Sequence, residues 1–206
     1  MFAYALKILS VVVKTHFLVC RYVELKRALT EAQIASQASL SSVPALRSLS
    51  LGSVEPLRSS KAMIVRPASQ PVAPYFPGVS LVKHYFPRHL ILQAQITNDS
   101  PDRRTLADVA FVVAESSSED SVVPTVNVPV KTLPLRSTGS AWCALEIIPA
   151  RLEETVLLTC ELRFTIMAVD LATGAPLSFS GEGGGGGRTY VEELNDLEVR
   201  PKEFMF

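Results

Sequence analysis

From Val79 onward, apolar and polar positions alternate in short runs separated by turn residues. Leu90, Leu92, Ala94 and Ile96 alternate with Gln93, Gln95 and Thr97. Successive strand side chains point to opposite faces, so this run predicts a half-buried strand. Asn98-Asp99-Ser100-Pro101-Asp102 predicts a turn. Val109, Phe111 and Val113 mark the next inward face, and residues 116–120 form a second polar break. Val126, Val128 and Val130 follow, flanked by Pro124 and Pro129. Proline donates no ladder hydrogen bond, so this run belongs at a sheet edge. Residues 142–148 predict a further strand. The longest run spans residues 155–170, with Val156, Leu158, Cys160, Leu162, Phe164, Ile166 and Ala168 on one face. Thr159, Glu161, Arg163 and Thr165 take the other, whereas a helix would scatter both sets. Asp170-Leu171-Ala172-Thr173-Gly174 reads as a turn, and residues 189–199 close the domain with Tyr190, Val191, Leu197 and Val199. Six or so strands without intervening helices define an all-β fold, an immunoglobulin-like antiparallel β-sandwich over residues 79–200.

The chain before Val79 has a different texture. Residues 1–40 form an apolar and helical segment. Its first part is strongly apolar but is interrupted by Lys7, Lys14, His16 and Arg21. A membrane span needs about 20 mostly apolar residues, so it is a poor one. Three readings stay open for it: a signal or anchor with Ile8–Val13 as its core, a buried element, or residues foreign to the domain. Residues 24–40 predict a helix, with Leu25, Leu29 and Ala32 on one face. Residues 41–78 are rich in serine and carry Pro44, Pro56, Pro67, Pro71, Pro74 and Pro77. That composition predicts a linker that buries little.

Composition narrows the chemistry. The 206 residues carry 20 basic and 20 acidic side chains, so the basic excess expected of a nucleic-acid binder is missing. The three cysteines, Cys20, Cys143 and Cys160, do not form a disulfide framework. Cys143 and Cys160 are expected as packed thiols, with a bridge between neighbouring strands as the alternative. Residues 183–187 are all glycine and precede Arg188-Thr189, but Glu182 and Arg188 stand where a phosphate loop needs glycine and lysine. A loop tip is the expectation. His84 and His89 lack the spacing of a helical zinc pair and are expected at the surface or on an edge strand. Glu192, Glu193, Asp196 and Glu198 form an acidic cluster, read as a solvated face or a surface for a basic partner. Asn98-Asp99-Ser100 fits a glycosylation acceptor. No residue presents itself as catalytic, cofactor-binding or metal-ligating.

Several pieces together resemble the appendage of the coatomer gamma subunit. Val82-Lys83-His84-Tyr85-Phe86 resembles that family's opening strand. Gln95-Ile96-Thr97-Asn98 followed by Thr105-Leu106-Ala107-Asp108-Val109 resembles its next hairpin. Leu133-Pro134 and Gly139 resemble the bend before the strand carrying Trp142 and Leu145. Cys160-Glu161-Leu162-Arg163-Phe164-Thr165-Ile166, with Asp170 and Thr173-Gly174, resembles its long central strand and turn. The segment from Tyr190 through Glu192, Glu193 and Asp196 to Val199 resembles its closing segment, with two extra residues. The resemblance covers about 120 residues, from Val79 to Val199. Val43-Pro44-Ala45-Leu46-Arg47-Ser48-Leu49 resembles part of the linker before that appendage.

The resemblance implies a structural part of the COPI vesicle coat, acting in Golgi-to-ER and intra-Golgi transport without catalysis or cofactor. It implies other coatomer subunits and an Arf GTPase-activating protein as partners, and no nucleic acid. It places the chain in the cytoplasm, on the cytosolic side of Golgi membranes and coated vesicles, with membrane association indirect through the coat. The family's appendage has a second lobe, a platform with a peptide pocket, expected beyond Phe206; the chain therefore reads as a fragment, and no partner-binding residue is assigned. The alternatives are a clathrin-adaptor-type ear and a secreted immunoglobulin-like adhesion module glycosylated at Asn98.

Overall fold

The structure is a computed structural model that describes residues 43–47, 49, 55–101, 104–118, 120–167 and 187–205. The chain divides into two compact units, 1–47 and 48–206. In the first unit a single helical turn is described, α1 (Pro44–Arg47). It starts on a proline, whose missing N–H costs nothing at a first helical position. The apolar stretch and the helix expected over residues 1–40 lie outside the described residues, as does the turn expected at 170–174.

The second unit is an antiparallel sandwich. Its strands are β1 (Arg58–Ser59), β2 (Met63–Val65), β3 (Gly78–Tyr85), β4 (His89–Thr97), β5 (Thr105–Ser116), β6 (Val122–Val128), β7 (Val130–Leu133), β8 (Thr138–Ile147), β9 (Val156–Met167), β10 (Gly187–Glu193) and β11 (Leu197–Val199). One sheet runs β1-β3-β4-β8-β6, with β2 also paired to β3. The other runs β10-β9-β5-β7, with β11 also paired to β9. Every described pairing is antiparallel.

The alternation seen in sequence becomes the core. Val156, Leu158, Cys160, Leu162, Phe164 and Ile166 of β9 are all buried and face Leu90, Leu92, Ala94, Ile96, Cys143 and Leu145 in one cluster. Each large side chain so buried contributes roughly 1.5–3 kcal/mol before ordering entropy is charged. The proline-flanked run is divided between the sheets. β6 is the edge beside β8, and after Pro129 the chain continues as β7, the edge beside β5. Both halves are edges, as the prolines require.

Two features depart from simple alternation. β4 was expected to be half-buried, yet Ile91 and Gln93 on its second face are 0% and 1% exposed. β5 buries both Leu106 and Val109, which alternation alone would put on opposite faces. A register shift between Ala107 and Ala110 resolves this, and Asp108 within it has φ 49°. One extra residue in the strand turns the following side chains back to the core.

The sheet also begins earlier than Val79. Within the stretch expected to bury little, β1 and β2 pair with β3, and Tyr75 and Phe76 pack partly buried on the core.

A left-handed backbone costs an ordinary L-residue about 1–2 kcal/mol, and more for a β-branched one. Asp108→Val is therefore expected to lower unfolding free energy by about 2 kcal/mol and Asp108→Gly to leave it nearly unchanged, measured by chemical denaturation. Equal losses would mean that backbone conformation is not what Asp108 supplies.

Candidate functional site

Polar side chains buried by the sandwich are where chemistry would show, and four groups of them are described. The first lies where β4 ends. Asn98 is 0% exposed, and its Nδ2 donates to the carbonyls of Arg104 and Leu133 at 2.9 Å each. Its Oδ1 accepts from Ser100 N at 3.2 Å. Its backbone accepts from Arg136 N and donates to Ser137 O. Arg136 has φ 56°, so Asn98 locks a strained turn onto the end of the first sheet. Both amide protons are spent on carbonyls, and the side chain is buried. The triplet read as a glycosylation acceptor is therefore a structural node, which removes the glycan site from the secreted alternative.

The second group lies on the face of the first sheet away from the core. His84 is 1% exposed, not a surface residue. Its Nδ1 lies 2.8 Å from Ser59 Oγ and its Nε2 3.1 Å from Gln93 Oε1. Gln93 Nε2 donates to Ser140 Oγ at 3.2 Å, and the Trp142 ring stacks on His84 at 6.1 Å. His89 is also buried, and its Nδ1 has no partner among the described residues. Burial pushes both imidazoles below the ordinary value of 6.5, while Gln93 opposes the shift at His84 and the Glu146 carboxylate opposes it at His89. Both histidines were expected at the surface or on an edge strand; both are buried on inner strands of the sheet, on the same face as Ile91, Trp142 and Ala144.

The third group closes one end of the sandwich. Lys83 interrupts the inward row of Val79, Leu81 and Tyr85 and is 4% exposed. Its Nζ donates to the carbonyl of Glu198 and lies 3.8 Å from Glu203 Oε2. Burial lowers the Lys83 pKa, opposed by the Glu203 charge. Tyr85 OH donates to Glu203 Oε1 at 3.0 Å, Phe204 meets the Tyr85 ring edge-on at 5.5 Å, and Arg58 lies over it at 4.6 Å. The 3-10 turn Pro201–Phe204 is thereby fastened to β3, and Arg200 N donates to Glu203 Oε2 at 3.0 Å.

The fourth group is the acidic cluster, which the structure separates. Glu192 is 3% exposed and accepts from the backbone N–H groups of Val72 and Ala73. Ala68 N donates to Glu193 O, Asn195 N to Arg66 O, and Pro67 bridges Leu194. Glu198 pairs with Arg200. Glu192 thus fastens Val72 and Ala73 to the second sheet, Glu198 sits in a surface ion pair, and Glu193 and Asp196 remain exposed. The proline-rich stretch gave no sign of this, because backbone N–H groups carry no sequence signature.

The remaining candidates are placed as follows. Cys143 and Cys160 are free and buried, on strands of opposite sheets and not on neighbouring ones. Burial pushes their thiols up to about 11 and about 12. Such thiols are unreactive at neutral pH. Cys20 and glycines 183–186 lie outside the described residues. Gly187, Arg188 and Thr189 are strand, so no helix opens there as a phosphate loop would need. Among the described residues no group of three or more metal-ligating side chains comes together. No helix among them is long and apolar enough to cross a membrane.

Among the described residues the buried polar side chains tie segments of one antiparallel β-sandwich together, with Ser59, His84 and Gln93 joined in one hydrogen-bonded chain and His89 Nδ1 left without a partner. The model of the coatomer gamma subunit appendage platform subdomain matches residues 35–185. This chain belongs to that appendage family. Over 132 residues it is 31% identical to coatomer subunit gamma-2 of Oryza sativa subsp. japonica, and over 128 residues 28% identical to coatomer subunit gamma of Arabidopsis thaliana. Each alignment takes in 62% of this chain and 13% of the relative, so the chain spans about an eighth of those proteins. The matched model carries the platform name on this stretch itself, whereas the sequence reading gave that name to a second lobe beyond Phe206. The match also starts well before Val79, in keeping with the packed segment 55–77.

Removing the Asn98 amide leaves the Arg104 and Leu133 carbonyls without those donors, while the backbone bonds to Arg136 and Ser137 remain. Asn98→Ala is expected to cost about 2–4 kcal/mol, read as a fall in denaturant midpoint; a loss under about 0.5 kcal/mol would remove the node. The histidines give a pH signature. Their folded pKa values are lowered, so between those values and about 6.5 the unfolded chain binds more protons. That stability is present above about 6.5 and is lost as pH falls. The denaturant midpoint should be lower at about pH 5.5 than at about pH 7.5, and His84→Gln should narrow the gap.

Proposed function

We propose that the chain acts as a coat component of the COPI type, an appendage that recruits other proteins and performs no catalysis. The observation that carries this reading is the coatomer gamma appendage match, laid over an antiparallel sandwich. A rigid sandwich suits a presenting surface, because its edges and faces are held to one geometry by the core. The coatomer name comes from relatives of which this chain spans a small part, so transport between Golgi and endoplasmic reticulum, contact with other coatomer subunits and recruitment of an Arf GTPase-activating protein belong to this proposal. So does its place at the cytosolic side of Golgi membranes, held through the coat.

The test is immunoprecipitation from native lysate with an antibody to residues 80–200, alongside staining of fixed cells. Co-precipitating coatomer subunits and perinuclear Golgi staining are the expected result. A species in the lumen or medium that shifts on deglycosylation, with no coat subunits, would overturn the reading.

A further inference from the structure

The second sheet ends on β10, and among the described residues the outer edge of that strand is only partly used. Leu194 N donates to Cys160 O, so even-numbered residues here turn their backbone groups toward β9. Odd-numbered residues turn theirs outward. Two contacts show this directly: Glu193 O accepts from Ala68 N, and Asn195 N donates to Arg66 O. The chain's own residues 66–68 therefore occupy the edge at 193–195. By the same parity, Gly187, Thr189 and Val191 aim their N–H and C=O groups away from β9.

This stretch lacks the usual protection. It holds no proline, lysine or bulge, in contrast to the proline-marked edge of β6 and β7. Val191, one of the apolar residues of the segment that closes the domain, is 51% exposed. Thr189 is exposed, with its hydroxyl 3.0 Å from that of Thr165. Arg188 lies over the Tyr190 ring at 5.3 Å.

We infer that Gly187–Val191 is an edge-pairing surface for a second copy of this chain, through antiparallel β10–β10 pairing centred on Thr189. Segment 66–68 blocks registers centred nearer to Glu193. The Thr189-centred register sets Thr189 opposite itself and Gly187 opposite Val191 as hydrogen-bonded pairs. Arg188 then stands opposite Tyr190 of the other copy in a non-hydrogen-bonded pair, where side chains approach most closely. Cation–ring and threonine–threonine pairs are favourable across strands, and no like charges stand directly opposite. Five residues of edge make a small interface, so the pairing is weak and concentration-dependent. It stands independently of the coat assignment, which the immunoprecipitation tests separately.

Sedimentation velocity of the full chain over about 10 µM to 1 mM covers the range of weak contacts. A monomer–dimer equilibrium is expected there. Thr189→Pro removes an outward N–H and spares the inward ladder with β9, so the folded chain should stay monomeric, with its far-UV spectrum and thermal midpoint reporting that it is folded. Arg188→Glu, which leaves the backbone untouched, should weaken association about tenfold or more. A chain that is monomeric throughout, or a dimer unchanged by Arg188→Glu, would overturn the proposal. An extended acidic or apolar peptide that binds the edge while the chain remains monomeric would also overturn it in favour of a different partner.

Discussion

β9 is the element on which the rest of the sandwich depends. It pairs with β5 on one side and with both β10 and β11 on the other, so the second sheet has no continuity without it. Its inward row from Val156 to Ile166 is buried throughout. Phe164 stacks on Tyr190 of β10 at 6.0 Å and is itself 1% exposed. Truncating such a ring typically costs about 3–5 kcal/mol, a large share of an ordinary domain's stability. The strand can do both jobs because its alternation is unbroken over the twelve residues of β9. β5, its neighbour, achieves the same end with a bulge.

How much of this was legible follows from what each residue type can signal. β9 was readable because large apolar residues recur at every second position. The proline-flanked run was readable as an edge because proline's missing donor is a local chemical fact. The burial of His84 was not readable, since its neighbours on that face, Ile91, Gln93 and Trp142, come beside it only when β3, β4 and β8 lie side by side. Asn98 looked like a turn residue or a glycan acceptor for the same reason: its partners, Arg104 O and Leu133 O, are backbone atoms of other segments. The pairing of β1 and β2 with β3 was hidden because Pro- and Ser-rich composition argues against burial on average. It says nothing about a few residues that meet a ready-made edge.

The polar residues buried here divide the labour of a scaffold. Asn98 fixes the loops at one end and Lys83 with Glu203 fixes a turn at the other. A buried ion pair is weak evidence for net stability, because desolvation offsets much of the attraction. Its value here is geometric. Glu203 reaches Lys83, Tyr85 and the Arg200 backbone at once, so the direction in which the chain leaves β11 is set by one ion pair and two hydrogen bonds to one carboxylate.

That geometry bears on what an appendage can do. A site that binds a partner must leave some hydrogen-bonding capacity unspent, and within the described sandwich the interior has little to offer. Ser59, Gln93 and Ser140 are committed around His84, and Glu192 is committed to the Val72 and Ala73 backbone. Capacity remains at sheet edges, where main-chain groups face outward in a fixed sequence. The two sheets treat their edges differently. Prolines blunt β6 and β7, residues 66–68 occupy part of the β10–β11 edge, and the rest of β10 keeps its outward groups beside an exposed Val191. On the edge pairing proposed above, recognition by this unit would rest on main-chain groups with a few side chains for specificity. It requires the core of β9 and β5 to hold that edge straight.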